Sequence, residues 1–379
     1  MEQETTGVCV SAAERGARAA WSRLAEPADE RALALLQEHG PVDALDLVLR
    51  GDERVPEVYR MRADRYAISR DPVEHLQAAR ALGVRVVCPG DAEWPSRLKD
   101  HPAPPICLWT RGSGDLLALT ERSVSVVGAR SSTPYGDTVA SGFGAGLAER
   151  GWTVVSGAAF GIDAAAHRGA LSVAGPTVAI LASGIDRPYP SAHSALLHRI
   201  AEGGAVLSEV APGTTPTRFR FLSRNRIIAT ISRGTVVVEA GLRSGSLNTA
   251  RTAAECGRPV GVVPGPVTSM MSAGCHQARR DGLAEIVTDV AEVLDLVGDY
   301  GVDAAVRRSD APVPADRLDP VDAVVLAGVP VRRPWPAEEV AVAAGVDIRA
   351  ALASLGRLEV GGFVERDGVG WRKRPAAPA

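Results

Sequence analysis

The sequence predicts an α/β protein: a doubly wound, mostly parallel sheet, with a small helical domain before it and a winged-helix domain after it. Three observations carry this. From residue 122 to 297, short Val- and Ile-rich runs alternate with Ala-rich stretches, and strand–helix alternation of this kind builds a parallel sheet. The runs are almost wholly apolar, as in strands buried on both faces. Residues 320–372 form a small unit of two short helical segments and a longer one, followed by FVERDGVGWRKR, which reads as a hairpin with an Asp-Gly turn. Helix–helix–helix–hairpin is winged-helix order.

The elements follow in chain order. AAERGARAAWSRL, ERALALLQEHG and PVDALDLVLR carry apolar residues at three-to-four spacing, and Gly40–Pro41 marks a turn between helices. They predict a helical, SAM-like domain over residues 1–70. The main domain, 71–297, opens with the helix DPVEHLQAARALG and the strand RVVCP. A Pro- and Trp-rich segment, GDAEWPSRLKDHPAPPICLWTRG, then wraps toward the sheet. Strands are expected in SVSVVG, TVVSG, TVAILAS, AVLSEV, TVVVEA and PVGVVPG. Helices are expected at 137–150, 162–174, 191–202, 224–233, 246–256, near 276–282 and at 289–297. Residues 298–319 mix Pro, Gly and charge without apolar periodicity and read as a linker. The winged-helix domain takes 320–379.

Composition narrows the function. The 379 residues are 46% hydrophobic and 23% charged, ordinary for a folded protein. A net charge of −3 leaves any nucleic-acid role to a local patch. Lys99 and Lys373 are the only lysines, so nearly all the cation is arginine, the better side chain for forked phosphate contacts. Cys9, Cys88, Cys107, Cys256 and Cys275 are scattered without a CxxC pair, which predicts no metal site and no disulfide framework. The first twenty residues lack a leader pattern and no run approaches a membrane span, so a cytoplasmic protein is expected.

Three strands run into small-residue loops that open helices: VVGARSSTPYG, VVSGAAFGID and VVVEAGLRSGSLNTA. In a parallel sheet such loops gather at the carboxyl edge, where ligands bind. Glycine lets backbone N–H groups approach an anion, and a helix N-terminus adds partial positive charge. A Walker loop needs Gly-Lys, and neither lysine follows a glycine. The glycines of SGFGAG fall inside a predicted helix, where they permit close helix–sheet packing. Neither ATP nor NAD is expected, and no cofactor.

The stretch RFRFLSRNRIIA, residues 218–229, concentrates four arginines and two phenylalanines. Period-two alternation predicts an extended arm with arginines on one side and phenylalanines, one of them core, on the other. Ser223 reads as an N-cap, which would set Arg224, Asn225 and Arg226 in a first helical turn. Cations are unfavourable there by a few tenths of a kcal/mol or more, roughly, and a bound anion would resolve the conflict. The competing reading pairs these arginines with Glu209 or Glu239. An aromatic beside arginines also suits base stacking with phosphates held alongside. Asp163 and His167 share a helix face, for which capping and a buried, hydrogen-bonded histidine are favoured over an acid–base dyad. Cys275–His276 diverge and predict no metal; Met270–Met271 read as core or interface.

Six ordered blocks carry a resemblance: VVGARSSTPYG, SGAAFGIDAAAHRGAL, AILASGIDRPYP, LSEVAPGTTPTRFRFLSRNRIIA, VVVEAGLRSGSLNTARTAAECGRPVGVVPGPV and SAGCHQARRDG. Over nearly its full length the chain resembles the DprA/Smf family of bacterial DNA-processing proteins. The resemblance implies a Rossmann-like domain that binds single-stranded DNA, helps load a RecA-type recombinase, as in natural transformation, performs no catalysis, and forms a homodimer through that domain. Carried over by motif, Gly128, Ala129 and Arg130 match the first anion-binding turn and Gly157 the second. Phe221 matches the base-contacting aromatic, Arg224, Asn225 and Arg226 the RNR block, and Ser244, Gly245 and Ser246 the third loop. Leu222 stands where the family usually has Pro, and His193 and His276 where Asn is usual; DGLAE replaces a usual Gly-Ala. The predicted recognition helix of the last domain, DIRAALASLGRLEVGG, holds only two arginines. Two rival readings stand beside this one. A nucleotide hydrolase of the lysine decarboxylase-like type would use Glu239 as its carboxylate and Arg226 as a clamp, though its PGGxGTxxE block is absent. A regulator would act through the winged helix alone.

Overall fold

In the computed structural model, residues 10–69, 71–299, 302–303 and 318–374 are described. Cys9 and most of the expected linker, 300–301 and 304–317, lie outside them. The chain divides into two compact units, residues 1–305 and 306–379.

The first unit is organised by one nine-stranded sheet: β1 (Arg85–Val87), β2 (Leu108–Arg111), β3 (Ser123–Val127), β4 (Thr153–Ser156), β5 (Thr177–Leu181), β6 (Ala205–Ser208), β7 (Gly234–Val237), β8 (Val260–Val262) and β9 (Glu285–Ile286). Their order is β1-β2-β6-β5-β4-β3-β7-β8-β9. From β6 to β9 every pairing is parallel, with Val124 opposite both Val154 and Gly234. β1 and β2 add an antiparallel edge against β6. Thus the Rossmann-like core expected from Val-rich alternation is present. β2, hidden in the Pro- and Trp-rich lead-in, and the two-residue β9 were not legible, being too short for a period to register.

Helices cover both faces. On one side Ile227, Ile228 and Ile231 of the helix Arg218–Ile231 and Leu247 and Ala250 of Gly245–Glu255 bury against Val127, Val237 and Val262. On the other, Phe143 and Leu147 of Pro134–Glu149 and Ile162 and Ala166 of Ile162–Ser172 cover Val124, Val126 and Val236. Each fully buried aliphatic contributes about 1.5–3 kcal/mol. Of the SGFGAG glycines, Gly144 permits close packing, but of helix on helix, while Gly142 faces open space. A Cβ at Gly144 would fall on the Ala166 carbonyl oxygen.

The N-terminal helices Ala12–Leu24, Glu30–His39, Pro41–Arg50 and Glu57–Arg65 enclose Trp21, whose ring meets Tyr59 edge-on at 5.4 Å. Ser11 and Asp29 cap the first two. Trp109 of β2 donates its Nε1–H to Ser22 Oγ at 3.0 Å and fastens the first helix to the sheet edge.

In the second unit, helices Pro320–Gly328, Ala337–Ala344 and Ile348–Val360 pack with the hairpin Val364–Asp367/Gly370–Lys373 around Val325, Val340, Leu355, Leu358 and Trp371. Gly368 takes the left-handed conformation that its tight turn requires.

Candidate functional site

β4, β3 and β7 are neighbours, and the chain proceeds from β3 through β4, β5 and β6 on one side and through β7, β8 and β9 on the other. The crevice between β3 and β7 is therefore the topological switch point, where doubly wound sheets bind ligands. The three small-residue loops meet there. They frame a cavity of about 650 Å³ lined by Gly128, Ala129, Arg130, Arg224, Asn225, Ser244, Gly245 and Ser246, with Met270 and Met271 across from them. A second cavity, about 580 Å³, shares Arg130, Arg243, Ser244 and Gly245 with the first and adds Arg218, Phe221, Leu222 and Asn248.

The segment RFRFLSRNRIIA folds differently from the expectation. Its helix starts at Arg218, not Arg224, and Thr217 is the N-cap, its Oγ1 accepting the Arg220 N–H at 3.2 Å. Ser223 lies inside the helix and donates to the Phe219 carbonyl. Four residues of alternation are too few to distinguish a strand from a helix. The decisive signal was Thr217, followed by an uninterrupted run free of Gly and Pro up to Gly234. Arg218 and Arg220, rather than Arg224 and Arg226, occupy the first turn, so the dipole argument does not apply to the latter pair. Neither phenylalanine is core: Phe219 is 54% exposed and Phe221 half-buried.

The arginines divide sharply. Arg226 is buried, pairs with Glu209 and lines neither cavity. Arg220 pairs with Glu26 at 2.9 Å. Arg224 forms part of the cavity wall, yet its guanidinium is committed inward, donating to the carbonyls of Gly157 (2.9 Å) and Ile180. Gly157 is glycine for this reason: a Cβ there would meet the Arg224 guanidinium at 2.5 Å. Burial pushes Arg224 down to about 10, still cationic at neutral pH. Arg130 is exposed and covers the Phe221 ring at 4.6 Å, with Tyr189 edge-on at 5.6 Å. Among the described residues Arg130, Arg218 and Arg243 have no carboxylate within 4.0 Å; they are the free cations of the two cavities.

Backbone and caps complete the rim. Ser244 caps Gly245–Glu255, accepting the Ser246 N–H, and Asn225 Nδ2 reaches the Gly245 carbonyl at 3.4 Å. Asp163 accepts the N–H groups of Gly157 and Ala159. Burial raises its pKa, opposed by the Arg224 charge. His167 turns away, its Nδ1 2.7 Å from Thr177 Oγ1, and burial drives it down to about 3. His167 is core, as favoured, and the pair is no dyad; Asp163 does not cap its helix, whose N-cap is Gly161 without a side-chain bond, but ties down the preceding loop. Glu239 accepts from the backbone N–H and Oγ1 of Thr133 at 2.9 and 2.7 Å, is buried, and lines neither cavity. His193 Nδ1 lies 2.9 Å from the Ala158 carbonyl and its ring packs on Phe160. Sequence reasoning passed over Arg243 and Asn248; their signal was a cation and an amide flanking the third glycine loop. Among the described residues no group of three His, Cys, Asp or Glu is placed to hold a metal, and no helix is long and apolar enough to cross a membrane.

Residues 85–298 match the family described as DNA recombination-mediator protein A, more than half of the chain. The chain belongs to that family. A DNA recombination-mediator protein A relative from Mycobacterium tuberculosis, described as a putative DNA processing protein DprA, is 44% identical over 366 residues, 93% of this chain and 92% of its own length. DNA processing protein DprA of Streptococcus pneumoniae is 42% identical over 190 residues, half of this chain and 66% of that protein. The X-ray structure of the S. pneumoniae protein superposes with a TM-score of 0.64 at 31% identity, covering 77% of this chain and all of that one. Another family structure, DNA processing protein A from Helicobacter pylori, described for a single-stranded DNA binding mode, gives 0.51 at 27% identity over 56% of this chain and 94% of its own.

Proposed function

We propose that this protein binds single-stranded DNA at the switch-point cavities and hands it to a RecA-type recombinase, without catalysis of its own. The observation that carries the reading is the set of three unpaired arginines, Arg130, Arg218 and Arg243, around the half-buried Phe221 at the mouth of a glycine-lined crevice. Forked cations hold phosphates while an aromatic receives a base. The loops at Gly128–Arg130 and Ser244–Ser246 bring backbone N–H groups and a helix N-terminus to the same place. Arg224, Asn225 and Gly157 shape the wall behind the strand, and Arg226 braces it through Glu209. The single-strand binding described for the H. pylori relative supports the reading. Glu239, tied to Thr133, is poorly placed for the hydrolase alternative.

On this reading the helical region 1–70 and a winged-helix region 320–379 are accessory domains, the protein works in the cytoplasm, and two copies associate through the Rossmann-like part. Gel shifts with single- and double-stranded oligonucleotides across a salt series test it, beside Arg130→Ala and Arg243→Ala. Wild type is expected to prefer the single strand, with a log–log salt slope of about −0.7 per neutralised phosphate. Deleting residues 298–379 should leave that preference in place. Equal affinity for duplex, or a flat salt dependence, overturns the reading. Nucleation of recombinase filaments on the bound strand tests the hand-over, and light scattering the dimer.

A further inference from the structure

We propose that a cleft between the N-terminal helices and the loop after β6 is a second phosphate subsite for the same single strand, with Arg23 as its cation. The inference rests on the single-strand reading above. Arg23 projects from the helix Ala12–Leu24 and is half-buried. Among the described residues it has neither a hydrogen-bond partner nor a carboxylate within 4.0 Å. Its burial disfavours the charge, pushing the guanidinium below its ordinary value. A half-buried guanidinium without a hydrogen-bond partner gives up solvation that an arriving anion would repay.

The surroundings suit an anion. The cleft, about 260 Å³, is lined by Arg23, Glu26, Arg62, Tyr66, Thr215 and Arg220 among others. Glu26 is shared, accepting from Arg220 Nε and an Nη at 3.0 and 2.9 Å and from Arg62 at 3.5 Å. Three guanidiniums therefore face one lining carboxylate. Asp186 acts on Arg23 through space but is itself engaged by the Gly213 N–H at 2.8 Å. An excess of positive charge remains after both acids are counted.

Position identifies the source of the phosphate. Arg220 lines this cleft, while Arg218 and Phe221, on the same helical turn, line the second cavity. The two sites lie on opposite sides of one exposed helix start, whose first N–H groups add their own attraction for anions. A helix about 10 Å across is within the reach of a few nucleotides of a single strand. A strand leaving Phe221 thus crosses Phe219 and arrives at Arg23.

Fluorescence anisotropy on the full-length chain tests this with oligonucleotides of about 6 and about 15 nucleotides, within the range of single-strand site sizes. Wild type should bind the longer one more tightly and with a steeper salt slope. Arg23→Ala should leave the short oligonucleotide unchanged. On the long one it should weaken binding about three- to five-fold, the size of a partly exposed ion pair, and flatten the slope by about 0.7. Arg23→Lys should restore most of the slope. The proposal is overturned if Arg23→Ala changes neither oligonucleotide, if it weakens both equally, or if length brings wild type no gain. If wild type binds neither, the single-strand reading itself fails, and this subsite with it.

Discussion

Replacing Arg226 with Met separates a bracing role from a DNA contact. Arg226 and Glu209 are 6% and 10% exposed at their side chains and paired with each other. Met keeps the packing volume and removes the cation, leaving the Glu209 carboxylate buried alone. At pH 7 that carboxyl escapes its charge only by binding a proton. From an ordinary value near 4.3 this costs about 3.7 kcal/mol, at 1.36 kcal/mol per pH unit. The figure agrees with the ~3–5 kcal/mol typical of breaking a buried pair from one side. Burial already pushes Glu209 upward in the wild type, with Arg226 opposing. In the variant its folded pKa stands above its unfolded value, so stability is retained below the unfolded pKa and lost as pH rises. The penalty should shrink to about 1 kcal/mol at pH 5. Removing both charges, as Arg226→Met with Glu209→Leu, should bring stability back to within about 1–2 kcal/mol of wild type. Urea unfolding at pH 5 and 7, followed by tryptophan fluorescence, measures this; Trp21, Trp94, Trp109 and Trp152 all report on the first unit. The double variant should still bind single-stranded DNA. A single variant that stays stable at pH 7 but loses affinity and salt slope would refute the reasoning and make Arg226 a strand contact.

Gly157→Ala drives a methyl into the Arg224 guanidinium, so it should destabilise by about 1–3 kcal/mol and weaken DNA binding; an unshifted unfolding midpoint argues against the packed wall. Phe221→Ala should cost about 1–3 kcal/mol of single-strand affinity if its ring stacks a base, measured by anisotropy, with the salt slope left unchanged; Arg130→Ala should instead lower that slope by about 0.7. His167, driven down to about 3 by burial, is neutral when folded, so the stability it supports is present above its unfolded pKa and lost as pH falls from about 6.5 toward 3. His167→Gln should flatten the melting temperature across that window, and an equally steep profile in the variant would show that another group is responsible.

Much of this protein could be read from its one-dimensional pattern. β3 to β8 are short, Val-rich strands buried on both faces, with only small Ser, Thr and Gly between the aliphatics, and such runs have few alternatives to a parallel sheet. The loops bearing Gly128, Gly157 and Gly245 were legible because strand-to-helix turns need small residues, and the switch-point rule gathers them at one edge. The four arginines of RFRFLSRNRIIA were visible as a group. Their individual fates were not, because each depends on a partner far along the chain: Glu26 for Arg220, the Gly157 and Ile180 carbonyls for Arg224, Glu209 for Arg226. Reading the first six residues of this helix as an extended arm was enough to misassign inward and outward faces. Local composition therefore determined the fold and the crevice where the glycine loops gather. Only the tertiary structure decided which cations are spent on the protein's own buried groups and which stay free, since burial and ion pairing are set by residues the sequence brings together last.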